Sequence, residues 1–508
     1  MHALSTLAGL LGGQAGPDVA IRAPERPPLT YEALRGLVSR TVLRLNELGI
    51  GRGDRIGLVL PNGAEAACAF LAVASGATAA PLNPAYRDEE FEFYLADLRA
   101  RAVVVQHGTE SPALAVAQRL GLAVLELVPS GGAAGGFTLE ARARVATAPG
   151  LQGGSAASDD VALILHTSGT TSRPKIVPLT HGNICASARN VAATLHLNAG
   201  DCGLQIMPLF HIHDLVAGLL APLAAGSSVY CAPGFHAFRF FAWMADARAT
   251  WYTAVPTMHQ AILARAHGHR DVIAAHPLRL IRSSSASMPP ALIREIEQTF
   301  GAPLIESYGM TESAHQMASN PLPPGRRIAG SVGLAAGPQI ALMDEAGRLL
   351  PAGQIGEIVV RGPTVTVGYE NNPKANQEAF TDSWFRTGDQ GRLDADGYLT
   401  ITGRLKEIIN RGGEKVSPRE VDEVLMDHPA VAQAVTFAVP HERLGEDVAA
   451  AVVLKEGAAA SERELREFAA RHLADFKVPR KIVLVPEIRK GATGKLQRIG
   501  LAQALGLA

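Results

Sequence analysis

Leu165-His-Thr-Ser-Gly-Thr-Thr-Ser-Arg-Pro-Lys175 closes the apolar run Val161–Leu165 and leads into Val177-Pro-Leu-Thr-His181. Hydroxyls, a glycine and a fixed cation this dense after a buried-looking strand describe a loop that holds polyphosphate. Glycine lets backbone approach closely, and amides, hydroxyls and the ammonium all donate. The usual P-loop is excluded, because no second glycine precedes Lys175 after Gly169 and no Ser or Thr follows the lysine. A plain Ser/Thr-rich turn accounts for the composition but not for Thr-Ser-Gly-Thr-Thr joined to Arg-Pro-Lys.

Around this loop, short apolar runs (Ile56–Leu60, Ala102–Gln106, Val161–Leu165, Ser227–Cys231, Leu278–Ile281) alternate with helical patterns. Such alternation predicts an α/β protein with layered, mostly parallel sheets flanked by helices. Pro129–Gly136 and Gly150–Ser158, rich in Gly, Ala and Ser, read as loose surface connections. A second break falls near Gly403-Arg-Leu-Lys406. Beyond it the pattern predicts a small α+β unit: strand Glu407–Asn410, a helix opened by the capping box Ser417-Pro-Arg-Glu420, strands Val431–Val439 and Val448–Leu454, a helix from Ser461-Glu-Arg-Glu464, and strand Lys481–Val485. The partition expected is a body over 1–403, a hinge at 404–406 and a C-terminal lid over 407–508.

At 508 residues the chain exceeds what one core sustains, which agrees with that partition. Lys plus Arg number 47 against 48 Asp plus Glu, so neither a nucleic-acid-binding field nor a polybasic membrane patch is present. Cys68, Cys185, Cys202 and Cys231 lack CxxC spacing and read as reduced core residues of a cytoplasmic protein. The apolar stretch Ala3–Leu11 lacks a basic flank and falls short of the roughly 20 residues that span a bilayer, so neither export nor anchoring is expected.

Four more motifs accompany the loop: Glu306-Ser-Tyr-Gly-Met-Thr-Glu312, Trp384-Phe-Arg-Thr-Gly-Asp389, Gly403-Arg-Leu-Lys-Glu407 and Gly491-Ala-Thr-Gly-Lys495. In this order and at these separations, the set closely resembles the acyl-adenylate-forming superfamily of acyl-CoA synthetases, peptide-synthetase adenylation domains and luciferases, over about Tyr31 to Leu496. The resemblance implies that a carboxylate attacks the α-phosphate of ATP, so the mutual repulsion of two anions must be cancelled by cations and backbone donors. By this resemblance Thr167, Ser168, Gly169, Thr170, Thr171 and Lys175 hold the β- and γ-phosphates. Thr311 touches the α-phosphate and Glu312 holds Mg²⁺. Tyr308 stacks on adenine with Gly309 leaving room beside it, Asp389 accepts the ribose hydroxyls, and Arg404 sits near ribose and phosphate. Lys495 bridges the reacting carboxylate and the α-phosphate. Lys406 is the hinge. Gly412 and Gly413 line the pantetheine entrance for CoA, with Lys415 assisting the second half-reaction. As a bare motif, Arg-Gly-Gly-Glu is merely a turn.

The acid is expected to meet Pro208-Leu-Phe-His-Ile-His-Asp214, Ser283-Ser-Ser-Ala-Ser287 and Ser313-Ala-His315. Imidazoles and hydroxyls there point to a small polar acid in place of a fatty one. Leu209-Phe-His-Ile-His, Trp251-Tyr-Thr-Ala-Val-Pro-Thr-Met-His259 and the string from Met310 to Pro323 resemble the oxalate-CoA ligase branch of the superfamily. That resemblance implies His213, Ser285 and His315 as donors, charged or neutral, to the unreacted carboxylate, with His211 at the acyl-pocket wall. The alternatives are a CoA ligase for another short or aromatic carboxylate, and a stand-alone adenylation enzyme that loads a carrier protein. The partners expected are a small carboxylic acid, ATP and CoA, with no nucleic acid and no membrane, and the chain is read as a monomer or homodimer. Two departures from the family pattern stand out: Asp214, whose charge would repel a dianion unless paired or turned away, and Ile176, which should stiffen the loop's exit.

Overall fold

Apolar runs bounded by turn residues fold into two mainly parallel sheets in the structure, a computed structural model that describes residues 5–142, 152–167, 174–489 and 496–508. The first sheet has seven strands in the order Phe137–Ala141, Ala123–Pro129, Ala102–Gln106, Arg55–Val59, Thr78–Pro81, Val161–His166 and Ile176–Thr180. Its inner strands are parallel and both edges antiparallel. The second has nine strands, with Leu280–Ser283 between the parallel Trp251–Ala254 and Leu304–Met310, and His315–Ser319 returning antiparallel beside the last.

Strand alternation sorts this second sheet's core onto two faces. Trp251, Leu280 and Ile305 meet Val191 and Leu195, at the end of helix His181–Thr194, and Ala217 of the π-helix Asp214–Leu220. Tyr252, Ile281 and Leu304 meet the helices Phe240–Ala247, Pro256–Ala266 and Pro290–Phe300 on the other. Each large side chain so buried contributes about 1.5–3 kcal/mol.

A third sheet, antiparallel and six-stranded, spans Gln339–Met343 to Leu399–Arg404. The fourth, five-stranded, uses only residues from Ile409 onward, and its two core clusters draw on that part of the chain alone.

Two local expectations change. Ser417 precedes helix Pro418–Met426, but its hydroxyl donates to the Thr402 carbonyl instead of capping, and Glu420 accepts from Lys477. The capping box at Ser461 does form: its hydroxyl accepts from Glu464 N at 3.2 Å. The turn after Pro129 is not loose, because Arg26 donates to the carbonyls of Ser130, Gly132 and Ala133. All four cysteines are free and buried. Among the described residues, no helix is long and apolar enough to cross a membrane.

Candidate active site

The strands on either side of the opening loop pair antiparallel. His166 pairs with Ile176, Thr167 N donates to Lys175 O at 3.0 Å, and Lys175 N donates back to Thr167 Oγ1 at 3.3 Å. Ser168, Gly169, Thr170 and Thr171 lie outside the described residues, as does Lys495. Ile176 is buried and its carbonyl accepts from Glu370 N, so the loop's exit is fixed on two sides. Glu370 is itself held by Arg55, whose Nη2 donates to both carboxylate oxygens at 2.8 and 2.9 Å.

The neighbouring segment 364–370 joins that strand pair to the Tyr308–Glu312 motif. Thr366 Oγ1 donates to Pro178 O at 2.7 Å, while its N donates to Glu312 O at 2.8 Å. Tyr369, which sequence reasoning did not single out, stands at the junction. Its hydroxyl donates to Glu312 Oε1 at 2.9 Å, and Lys175 Nζ lies 4.3 Å above its ring. An ammonium and a carboxylate are thus brought close with an aromatic ring between them, instead of cancelling each other in a direct pair.

Glu312 follows strand Leu304–Met310 in a short 3₁₀ turn, Thr311–Ser313. Burial holds its carboxyl above the usual range. Its described partner is a neutral phenol, and the hard oxygen donors suit Mg²⁺. Among the described residues no group of three His, Cys, Asp or Glu side chains is placed to hold a metal. The Glu312 carboxylate is the one candidate Mg²⁺ ligand named for this site. Gly309 is dictated sterically: a Cβ there would stand 1.8 Å from His315 O on the returning strand.

Tyr308 is buried, and its hydroxyl donates to Asp389 Oδ2 at 2.5 Å. Asp389 and Arg404 are cross-strand partners in the third sheet, and the guanidinium lies 3.3 Å from Asp389 Oδ1. One antiparallel ladder thus sets the carboxylate and the cation side by side against the aromatic ring. Lys406 is exposed on the 3₁₀ turn Leu405–Glu407 that follows.

Three of the acid-pocket candidates, His213, Ser285 and His315, come together. Asn62 accepts from Leu209 N at 2.8 Å and donates to Ala232 O, which clamps the segment leading to His211 and His213. His211 packs against Phe210. His213 Nδ1 is 3.0 Å from Ser285 Oγ, and its ring stacks on His315 at 4.9 Å and 13°. Ser285 and His315 both have positive φ, 72° and 92°, a conformation costing about 1–2 kcal/mol and concentrated at functional sites. Against the Nε2 edges of both rings lies a residue the motif reading passed over. Arg282 is fully buried, 3.2 Å from His213 Nε2 and 3.0 Å from His315 Nε2. Burial pushes its guanidinium down to about 9, so it stays cationic at neutral pH. Its signal in the sequence is one charge inside the apolar strand Leu-Ile-Arg-Ser.

Asp214 is turned away. It is fully buried at the start of the π-helix, one oxygen accepting from Gln205 Nε2, and burial pushes it up to about 8. A neutral carboxyl there does not repel a dianion.

Farther along, Arg411 and Glu414 pair across a two-residue turn, and Gly412 (φ 61°) and Gly413 (φ 98°) supply the positive φ that such a tight hairpin needs. Lys415 is exposed on the outgoing strand.

The AMP-binding enzyme model matches residues 13–370, and the AMP-binding enzyme C-terminal domain model matches 420–495. The chain belongs to the AMP-binding enzyme family. Among its relatives, an oxalate–CoA ligase of Arabidopsis thaliana is 44% identical, with 98% of each chain covered. A sulfoacetate–CoA ligase of Cupriavidus necator is 38% identical, covering 95% of this chain and 96% of that one. The crystal structure of ATP-bound MatB from Rhodopseudomonas palustris superposes with a TM-score of 0.87 at 30% identity, over 99% of both chains.

Proposed function

We propose that the protein is an ATP-dependent, AMP-forming acid–CoA ligase whose acid is oxalate. The observation that carries the acid is the buried cluster of Arg282, His213, Ser285 and His315, a cationic and hydroxyl-bearing environment of the kind a second carboxylate needs. The likeness to ligases named for oxalate and for sulfoacetate supports it, since both acids carry a second anionic group.

In the first half-reaction one carboxylate oxygen attacks the α-phosphorus, the α–β phosphoanhydride breaks, and pyrophosphate leaves the mixed anhydride. Thr167, Ser168, Gly169, Thr170, Thr171 and Lys175 hold the β- and γ-phosphates, Thr311 bonds the α-phosphate, Asp389 with Arg404 holds the ribose, and Tyr308 with Gly309 flanks adenine. Glu312 would hold Mg²⁺, which neutralises phosphate charge when bound. Lys495 donates to both the reacting carboxylate and the α-phosphate. In the second half-reaction the CoA sulfur attacks the acyl carbon and AMP leaves, with Gly412, Gly413 and Lys415 at the pantetheine entrance. The chain divides at 404–406 into a body and a smaller lid that rotates between the steps. The buried reduced cysteines support a cytoplasmic location, and the protein is read as a monomer or homodimer.

Pyrophosphate release across a panel of acids, with and without CoA, tests this. Oxalate should give CoA-dependent turnover. Activity with hexanoate or a cinnamate but not oxalate would overturn the substrate, and an acyl-AMP that accumulates untouched by CoA would favour a carrier-protein acceptor.

A further inference from the structure

Strand Leu280–Ser283 is buried at every position, and Arg282 shares the face of Leu280, opposite Thr253 on the adjoining strand. Its guanidinium donates to His213 Nε2, Thr253 Oγ1 (3.3 Å), His315 Nε2 and Gln316 Oε1 (3.2 Å). No carboxylate among the described residues lies within ion-pairing distance of it. A cation enclosed without a counter-charge is costly, and a bound anion relieves that cost.

The donors also decide the state of both rings. Guanidinium cannot accept a hydrogen bond, so each imidazole nitrogen facing it presents a lone pair, and each ring carries its proton on Nδ1. Thr253 Oγ1, 2.7 Å from His213 Nε2, fits the same assignment by donating its hydroxyl proton there while accepting from Arg282. His213 Nδ1–H then donates to Ser285 Oγ, which leaves the serine's own proton for another acceptor. Two neutral rings also stack at 4.9 Å without the repulsion of two imidazolium ions.

We propose that Arg282 is the positioning residue and the fixed cation of the acid pocket: it sets His213 and His315 as neutral Nδ1–H donors, frees the Ser285 hydroxyl, and selects acids with a second anionic group. This rests on the acid-pocket assignment made above. The charge that answers the substrate's second carboxylate thus comes from behind the histidines, not from protonating them.

The test compares full-length wild type with Arg282→Gln and Arg282→Lys. For Arg282→Gln, kcat/KM for oxalate should fall at least 100-fold, mainly through KM. Acetate, a monoanion, should change less than about threefold and the KM for ATP less than twofold. Arg282→Lys, which keeps the charge and loses the fork, should recover at least tenfold of that loss. Equal losses for oxalate and acetate would overturn the selectivity role. Independently, ¹⁵N-histidine NMR of the wild type at pH 7, assigned with His213→Asn and His315→Asn, should show both rings as Nδ1–H tautomers. Nε2–H or imidazolium signals would overturn the proposal even if Arg282→Gln fails to fold. If wild type ignores oxalate, the substrate assignment fails by itself, while the tautomer spectrum still decides the role of Arg282.

Discussion

Asp214, Tyr369 and Gly309 show how single side chains acquire meaning from what surrounds them. From the sequence, Asp214 is a charge set against a dianionic substrate; in the fold it faces Gln205 with its carboxyl pushed up to about 8 by burial. Because its folded pKa lies above the unfolded value, the unfolded chain gives up this proton first, and the residue lowers stability increasingly as pH rises from about 4 to about 8. Asp214→Asn should therefore stabilise the protein by a few kcal/mol near pH 7. In urea melts, its advantage should grow between pH 5 and 7 and level off above pH 8; an advantage independent of pH would contradict the burial argument. Tyr369→Phe removes the hydroxyl that donates to the Glu312 side chain and should lower kcat about tenfold, with a raised Mg²⁺ requirement in steady-state assays. Gly309→Ala forces a methyl against His315 O. It should abolish pyrophosphate release and lower Tm, and normal turnover would disprove the close approach.

At the scale of elements, what was legible depended on contiguity. The strands at Ala102–Gln106 and Val161–His166, the cap at Ser461 and the hairpin of Gly412-Gly413 follow from residues adjacent in sequence. The Arg282 cluster does not, because its members come from the residue preceding a π-helix, from three strands and from a loop, and one arginine in a buried strand makes no motif. Tyr369 escaped for the same reason, lying 57 residues from Glu312. Ser417 had the right pattern for a cap, but the neighbouring strand's Thr402 carbonyl competed for its hydroxyl. At the glycine hairpin, Gly413→Ala would strain a residue at φ 98° and should slow thioester formation from supplied acyl-AMP by about tenfold. Unchanged thioester kinetics in a stopped assay would remove that hairpin from the CoA path.

For the whole molecule, the core clusters from residue 409 onward share no residue with those before it, and the proposed division into a body and a moving lid rests on that separation. Lys495→Ala should lose pyrophosphate release by at least 100-fold and still make thioester from supplied acyl-AMP; equal loss of both would argue against a lid that exchanges faces. The central claim is that this architecture activates a small dianion. Incubating the purified protein with ATP, Mg²⁺, CoA and an equimolar mixture of oxalate, sulfoacetate, malonate, acetate and hexanoate, then weighing the thioesters by mass spectrometry, tests it most directly. Oxalyl-CoA should dominate the products, whereas its absence beside abundant acetyl-CoA or hexanoyl-CoA would contradict the account.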